Sequence, residues 1–102
     1  MTELENKLKN LPEKSGVYIM KDAAGKIIYV GKAKVLKNRV KQYFTNKQHH
    51  VKVAAMVSNI ADLEYIICDS ETEALILECN LIKKHMPYYN ILLKDGKHYP
   101  YV

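Results

Sequence analysis

Gly16-Val17-Tyr18-Ile19-Met20-Lys21, Asp22-Ala23-Ala24-Gly25 and Lys26-Ile27-Ile28-Tyr29-Val30-Gly31 follow one another without interruption. The outer two segments are rich in Val, Ile and Tyr, residues that suit a pleated, half-buried surface. The Asp-Ala-Ala-Gly between them supplies a turn, with Gly available for a left-handed position. The stretch therefore reads as a β-hairpin. With a four-residue loop, Lys21 pairs with Lys26, Tyr18 faces Tyr29 and Gly16 faces Gly31. Side chains two apart share a face, so both tyrosines and both glycines fall on one side of the ribbon. Two uses fit that arrangement. The phenols pack as in any half-buried hairpin, or they stand together beside a bare patch that a bulky substrate backbone can approach.

Outward from the hairpin, Thr2 and Glu5 have capping-box spacing and open a short helix ending near Asn10. Residues 33–44 read as a helix, 45–49 as a polar loop, 50–60 as a second helical stretch and 63–68 as a third strand. Ser70 and Glu73 form another capping box, opening a long apolar helix to about His85, and Pro87 stops it. Residues 88–102 read as extended, with a turn at Asp95-Gly96. The order is α-β-β-α-α-β-α, an α+β domain in which helices pack on a small, largely antiparallel sheet. At 102 residues the chain is one domain, with about residues 96–102 serving as sheet or as the start of a linker.

Apolar residues make up 48% of the chain, and no apolar run approaches a membrane span. The first ten residues lack the hydrophobic segment of a signal peptide. Two cysteines, Cys68 and Cys79, have no zinc-type spacing, which suits free thiols in a reduced, cytoplasmic setting. The net charge of +5 favours an anionic partner. Of the 16 basic residues only Arg39 is an arginine, so its planar fork is a candidate for a task that lysine cannot perform.

Glu78 lies on the long helix among Ala74, Leu75, Leu81 and Ile82, its neighbours at three and four residues. A carboxylate in an apolar stripe faces desolvation unless it is paired or binds a metal. A lysine partner and a metal ion are both open to it. Lys32, Arg39 and Tyr43 are spaced by seven and four, close to one helical face if Lys32 begins the helix. Lys34, Lys37 and Lys41 face outward beside the stripe of Val35, Leu36, Val40 and Phe44, as solvated charge or as non-specific DNA contacts. His49, His50, His85 and His98 share no ligand spacing and are expected at the surface.

Gly16-Val17-Tyr18, Tyr29-Val30-Gly31-Lys32 and Leu36-Lys37-Asn38-Arg39-Val40 together resemble the signature of the GIY-YIG nuclease family, with Val in place of Ile in both tripeptides. The segment from Glu73 to Lys84, that from Pro87 to Asp95, and the closing Tyr99-Pro100-Tyr101 resemble its UvrC branch. The resemblance covers essentially the whole chain. It implies a small mixed sheet flanked by helices and a DNA endonuclease that makes the 3′ incision in nucleotide excision repair. It also implies its partners: damaged double-stranded DNA, a UvrB–DNA complex, and the remainder of a UvrC chain with a second nuclease domain. The family's functional positions fall on Tyr18, Tyr29, Lys32, Arg39, Tyr43, Glu78 and Asn90. Tyr29 would be the general base, assisted by Lys32; Tyr18 would position it, and Tyr43 would do likewise or contact phosphate. Glu78 would hold one Mg²⁺ or Mn²⁺ ion, and Arg39 would brace the phosphoryl oxygens. Asn90 would hold the phosphate or order the site. Two other classes remain beside this one: a basic nucleic-acid-binding module without turnover, and a standalone nuclease of another GIY-YIG branch.

Overall fold

The computed structural model describes residues 3–45 and 49–93. Its elements are α1 (Glu3–Lys9), β1 (Gly16–Lys21), β2 (Ile27–Ala33), α2 (Leu36–Thr45), α3 (Val51–Asn59), β3 (Asp62–Ile67), α4 (Glu71–His85) and α5 (Tyr88–Leu93). The three strands form an antiparallel sheet in the order β2-β1-β3, with β1 paired on both sides. The α+β expectation holds, and every pairing in the sheet is antiparallel.

The hairpin register differs from the expected one. Tyr18 lies opposite Gly31, Met20 opposite Tyr29 and Gly16 opposite Ala33. Two one-residue shifts produce this. The turn closes at Asp22–Lys26: the Asp22 amide donates to the Lys26 carbonyl (3.0 Å), and Gly25, at φ 82, donates to the Asp22 carbonyl (3.0 Å). The Asp22 carboxylate accepts from the Ala24 and Lys26 amides at 2.9 and 3.0 Å, which locks the turn. A β-bulge between Met20 and Lys21 adds the second shift. One slip would send side chains to the wrong face, and two restore them. Tyr18 and Tyr29 therefore still share a face, but as diagonal neighbours.

That face carries the larger core. Tyr18, Met20, Ile28 and Leu63 of the sheet pack there with Leu36 and Val40 of α2, Met56 of α3 and Tyr89 of α5. The opposite face is covered by α4, whose Ala74, Leu77, Leu81 and Ile82 pack on Val17, Ile19 and Val30. The capping box at Ser70 forms as expected: its hydroxyl accepts from the Glu73 amide (3.1 Å), while Glu73 reaches back to accept from the Asp69 amide (3.1 Å).

Two boundaries move. β2 runs on through Lys32 and Ala33, which pair with Val17 and Gly16, so α2 begins at Leu36 rather than at residue 33. Residues 88–93, expected to be extended, form α5. Tyr-Tyr-Asn-Ile-Leu-Leu has strand-like composition, and tertiary context overrides it. Pro87 opens the helix, its carbonyl accepting from the Asn90 and Ile91 amides, and the Tyr89 hydroxyl accepts from Asn59 at 3.0 Å. The Thr2 cap, the Asp95-Gly96 turn and the linker at 96–102 lie outside the described residues. Among the described residues no helix is long and apolar enough to cross a membrane.

Candidate active site

Three phenols from three elements converge on the larger-core side of β2. Tyr18 of β1, Tyr29 of β2 and Tyr43 of α2 have ring centroids 6.2 Å (18–29), 5.9 Å (18–43) and 6.4 Å (29–43) apart. The Tyr18 and Tyr43 hydroxyls share a 2.9 Å hydrogen bond. The Arg39 guanidinium stands 5.6 Å from the centre of the Tyr43 ring, one helical turn away on α2. Burial pushes the Tyr18 phenol well up, with Tyr43 and Tyr29 adding to the effect. Burial likewise pushes Tyr29 far above the usual phenol range. Tyr43 and the Glu78 carboxylate reinforce that shift, and the Arg39 charge opposes it. Burial works against the charge on Arg39, and the three phenols outweigh it.

Glu78 reaches the same strand from the other face. Burial raises its carboxyl above the ordinary range, and the Lys32 charge and Lys32 backbone pull it back down. Lys32 therefore serves Glu78. One expectation is corrected: Lys32 stays in β2 and does not begin α2 beside Arg39 and Tyr43. Because β2 is an edge strand, the carboxylate on one face and the phenols on the other meet around its free border. They are close enough for Glu78 to disfavour the Tyr29 phenolate.

Asn90 locks that border. Its side-chain carbonyl accepts from the Val30 amide (2.8 Å) and its NH₂ donates to the Val30 carbonyl (2.9 Å). The side-chain amide stands in for a neighbouring strand between Tyr29 and Gly31, so of its two expected roles the ordering one matches this geometry. Lys34 lies 3.9 Å from Glu71, and Lys37 and Lys41 sit with Lys9 in an open groove between α1 and α2. The three lysines are thus spread around the site rather than gathered in it. His50 and His85 are exposed, as expected. His49 is not simply at the surface: it is partly buried, stacks on Tyr43 with centroids 6.3 Å apart, and bonds the Tyr43 carbonyl at 2.8 Å. Sequence spacing does not link those two residues. His98 lies outside the described residues.

The glycines are not a bare patch. A methyl group on Gly16 would strike the Ile66 carbonyl and the Leu36 side chain, and one on Gly31 would strike the Tyr18 ring and hydroxyl. Gly31 is the floor on which Tyr18 lies. Replacing Gly31 by Ala is expected to displace Tyr18, break its bond to Tyr43 and cost about 1–3 kcal/mol by overpacking. Urea denaturation with NMR contacts between the two rings checks this; unchanged stability with those contacts intact would show that the floor is not needed.

Among the described residues no cluster of three or more His, Cys, Asp or Glu side chains is placed to hold a metal. Glu78 is a lone, half-buried carboxylate with a raised pKa, a donor that a hard cation holding water and phosphate oxygens can use.

Residues 14–91 match the UvrC-like GIY-YIG domain family. UvrABC system protein C of Clostridium acetobutylicum is 68% identical over 103 residues, covering 100% of this chain and 16% of that protein. Its counterpart in Clostridium botulinum strain Hall is 69% identical over 103 residues, covering 100% and 17%. The chain thus spans about a sixth of the length of these curated relatives. The GIY-YIG N-terminal endonuclease domain of UvrC from Thermotoga maritima, in a crystal structure bound to its catalytic divalent cation, magnesium, has a TM-score of 0.76 and 44% identity, covering 88% of this chain and 99% of that one. A point mutant of that domain, also with its catalytic divalent cation, has a TM-score of 0.76 and 43% identity, covering 88% and 98%.

Proposed function

The chain belongs to the UvrC-like GIY-YIG domain family, and from that premise we propose that it is a metal-dependent DNA endonuclease domain that hydrolyses a phosphodiester on the 3′ side of a lesion in nucleotide excision repair. One observation carries the reading: three phenols and a guanidinium meet a half-buried carboxylate across a single edge strand. The phenols and the carboxylate are desolvated with their pKa values raised, and perturbed ionisable groups concentrate at functional sites.

In the proposed reaction a water attacks phosphorus in line with the departing 3′ oxygen. Tyr29 takes the water's proton, and the leaving oxygen recovers one from solvent. Tyr18 and Tyr43, joined to each other through their hydroxyls, hold Tyr29 by ring contact, and Asn90 keeps the Tyr29 backbone in register. Arg39 braces the negative charge that builds on the phosphoryl oxygens. Glu78, with Lys32 balancing its charge, would hold one Mg²⁺ or Mn²⁺ ion, which would supply positive charge for the phosphate and the leaving oxygen. The proposal extends to partners and place. The domain acts in the cytoplasm on damaged double-stranded DNA presented by a UvrB–DNA complex, alongside the rest of a UvrC chain with a second nuclease domain for the 5′ cut. The net charge of +5 suits the nucleic acid, and the relatives' length leaves room for the rest of the chain.

Manganese soaked into crystals is expected to give anomalous density beside Glu78. In a reconstituted incision assay, Arg39→Ala is expected to lower the 3′ cut by about 10²–10³-fold, as loss of a charge-stabilising donor does. A metal bound only elsewhere, or normal cutting by the Arg39 variant, would remove the mechanism.

A further inference from the structure

Beside the three phenols lies a small pocket that the mechanism does not use. It has a volume of about 150 Å³ and is lined by Arg39, Gln42, Tyr43 and His49. We propose that this pocket is a second phosphate subsite, holding the DNA backbone phosphate next to the one that is cut, with Gln42 and His49 as its recognition residues. The proposal rests on the nuclease reading and extends it along the strand.

The lining is polar and holds no carboxylate: the Arg39 guanidinium and Gln42 carboxamide offer N–H groups, the Tyr43 hydroxyl donates or accepts, and His49 presents the ring nitrogen not bonded to the Tyr43 carbonyl. The volume is below the 300–1,000 Å³ range typical of organic ligands and suits a small anion. Arg39 and Tyr43 belong to both sites, so an anion here is continuous with the scissile position. His49 is held in a defined orientation. A backbone carbonyl only accepts, so the 2.8 Å contact with Tyr43 places a proton on Nε2 and leaves Nδ1 for a ligand. Nδ1 reaches a phosphate directly when protonated, or through a water when not. Stacking on Tyr43 fixes the ring plane.

The plainer account is that His49 only satisfies a carbonyl in the last turn of α2, where intrahelical donors run out. It explains His49 but not Gln42, which takes no part in that bond. Gln42→Ala is therefore the clean variant and His49→Ala the second. Binding of a short single-stranded DNA is measured without divalent metal, so turnover plays no part, and each phosphate is replaced in turn by a neutral methylphosphonate. One position is expected to weaken binding by the unmutated chain about tenfold, as loss of a charge-assisted hydrogen bond does. That effect should vanish in both variants. Inorganic phosphate should shift the Gln42 and Arg39 side-chain NMR signals saturably. If no methylphosphonate position loses its effect in Gln42→Ala, the subsite is overturned. Shifts with free phosphate but no position-dependent DNA effect mean a free-anion pocket and overturn the DNA assignment. Failure of the nuclease reading reads differently: metal-supplied chain that binds the strand in this pattern and never cuts it.

Discussion

Glu78→Gln is expected to abolish metal-dependent cutting while making the metal-free chain slightly more stable at neutral pH. The two effects have one origin. Burial raises the carboxyl of Glu78 above its unfolded value, with Lys32 offsetting only part of that shift. A group whose folded pKa is raised stabilises the fold below its unfolded pKa, and that contribution is lost as pH climbs through the folded pKa. At neutral pH the charged side chain is therefore a burden, and a neutral isostere removes it. The gain is small because the group is only half-buried, and it should disappear in acid, where the wild-type carboxyl is itself protonated. The loss of cutting is large: a bound cation supplies several kcal/mol of charge stabilisation, and about 4 kcal/mol corresponds to roughly a thousandfold in rate. Thermal unfolding at acid and neutral pH, with metal titration and an incision assay on each variant, checks both. A Gln variant that is less stable at neutral pH would mean that the carboxylate is structurally satisfied. One that still cuts would mean that the ion is held elsewhere.

Much of this site was legible in the sequence for an identifiable reason. Periodicity and caps are local, so β1, α4 and the Ser70 box came out at or near their observed bounds. Motif spacing and one acid in an apolar stripe pick out Tyr18, Tyr29, Arg39, Tyr43 and Glu78, and the fold gathers the three phenols and Arg39, with Glu78 near enough to act on Tyr29. What failed depends on geometry that spacing does not encode. A three-residue turn and a bulge together displace the register by two, a parity that leaves the faces right and the neighbours wrong. The shared face of Lys32, Arg39 and Tyr43 is conditional on Lys32 beginning the helix, because the signature runs on from strand to helix without a break. Tertiary pairing with β1 keeps Lys32 in the strand opposite Val17, on the sheet face that α4 covers, where its charge lowers the Glu78 pKa. α5 was missed because its composition suits a strand, and the clamp of Asn90 on Val30 exists only once that helix has formed. His49 carries no local signal, since its link to Tyr43 runs across residues 46–48.

Tyr29→Phe is expected to lower incision by about 10²–10⁴-fold, the usual worth of a general base, and to flatten its dependence on pH. Burial, Tyr43 and Glu78 all hold the Tyr29 phenol protonated at neutral pH, and Arg39 works the other way. The phenolate is thus a minor species, and its fraction grows about tenfold for each pH unit below its pKa. Cutting should rise with that slope through neutral and mildly alkaline pH. A cation held by Glu78 would offset the repulsion that Glu78 exerts on the phenolate, which would couple metal binding to the base through one carboxylate. The Phe variant keeps the ring that packs on Tyr18 and Tyr43, so its stability at neutral pH should fall within about 1 kcal/mol of the original. In strong alkali it should be the more stable of the two, because a phenol whose folded pKa is raised costs stability as the unfolded chain ionises. Single-turnover incision over a pH series, with urea denaturation of both proteins, tests the assignment. A Phe variant whose residual activity climbs with the same slope as the original would transfer the proton-accepting role away from Tyr29, and Tyr43 would then be the group to mutate.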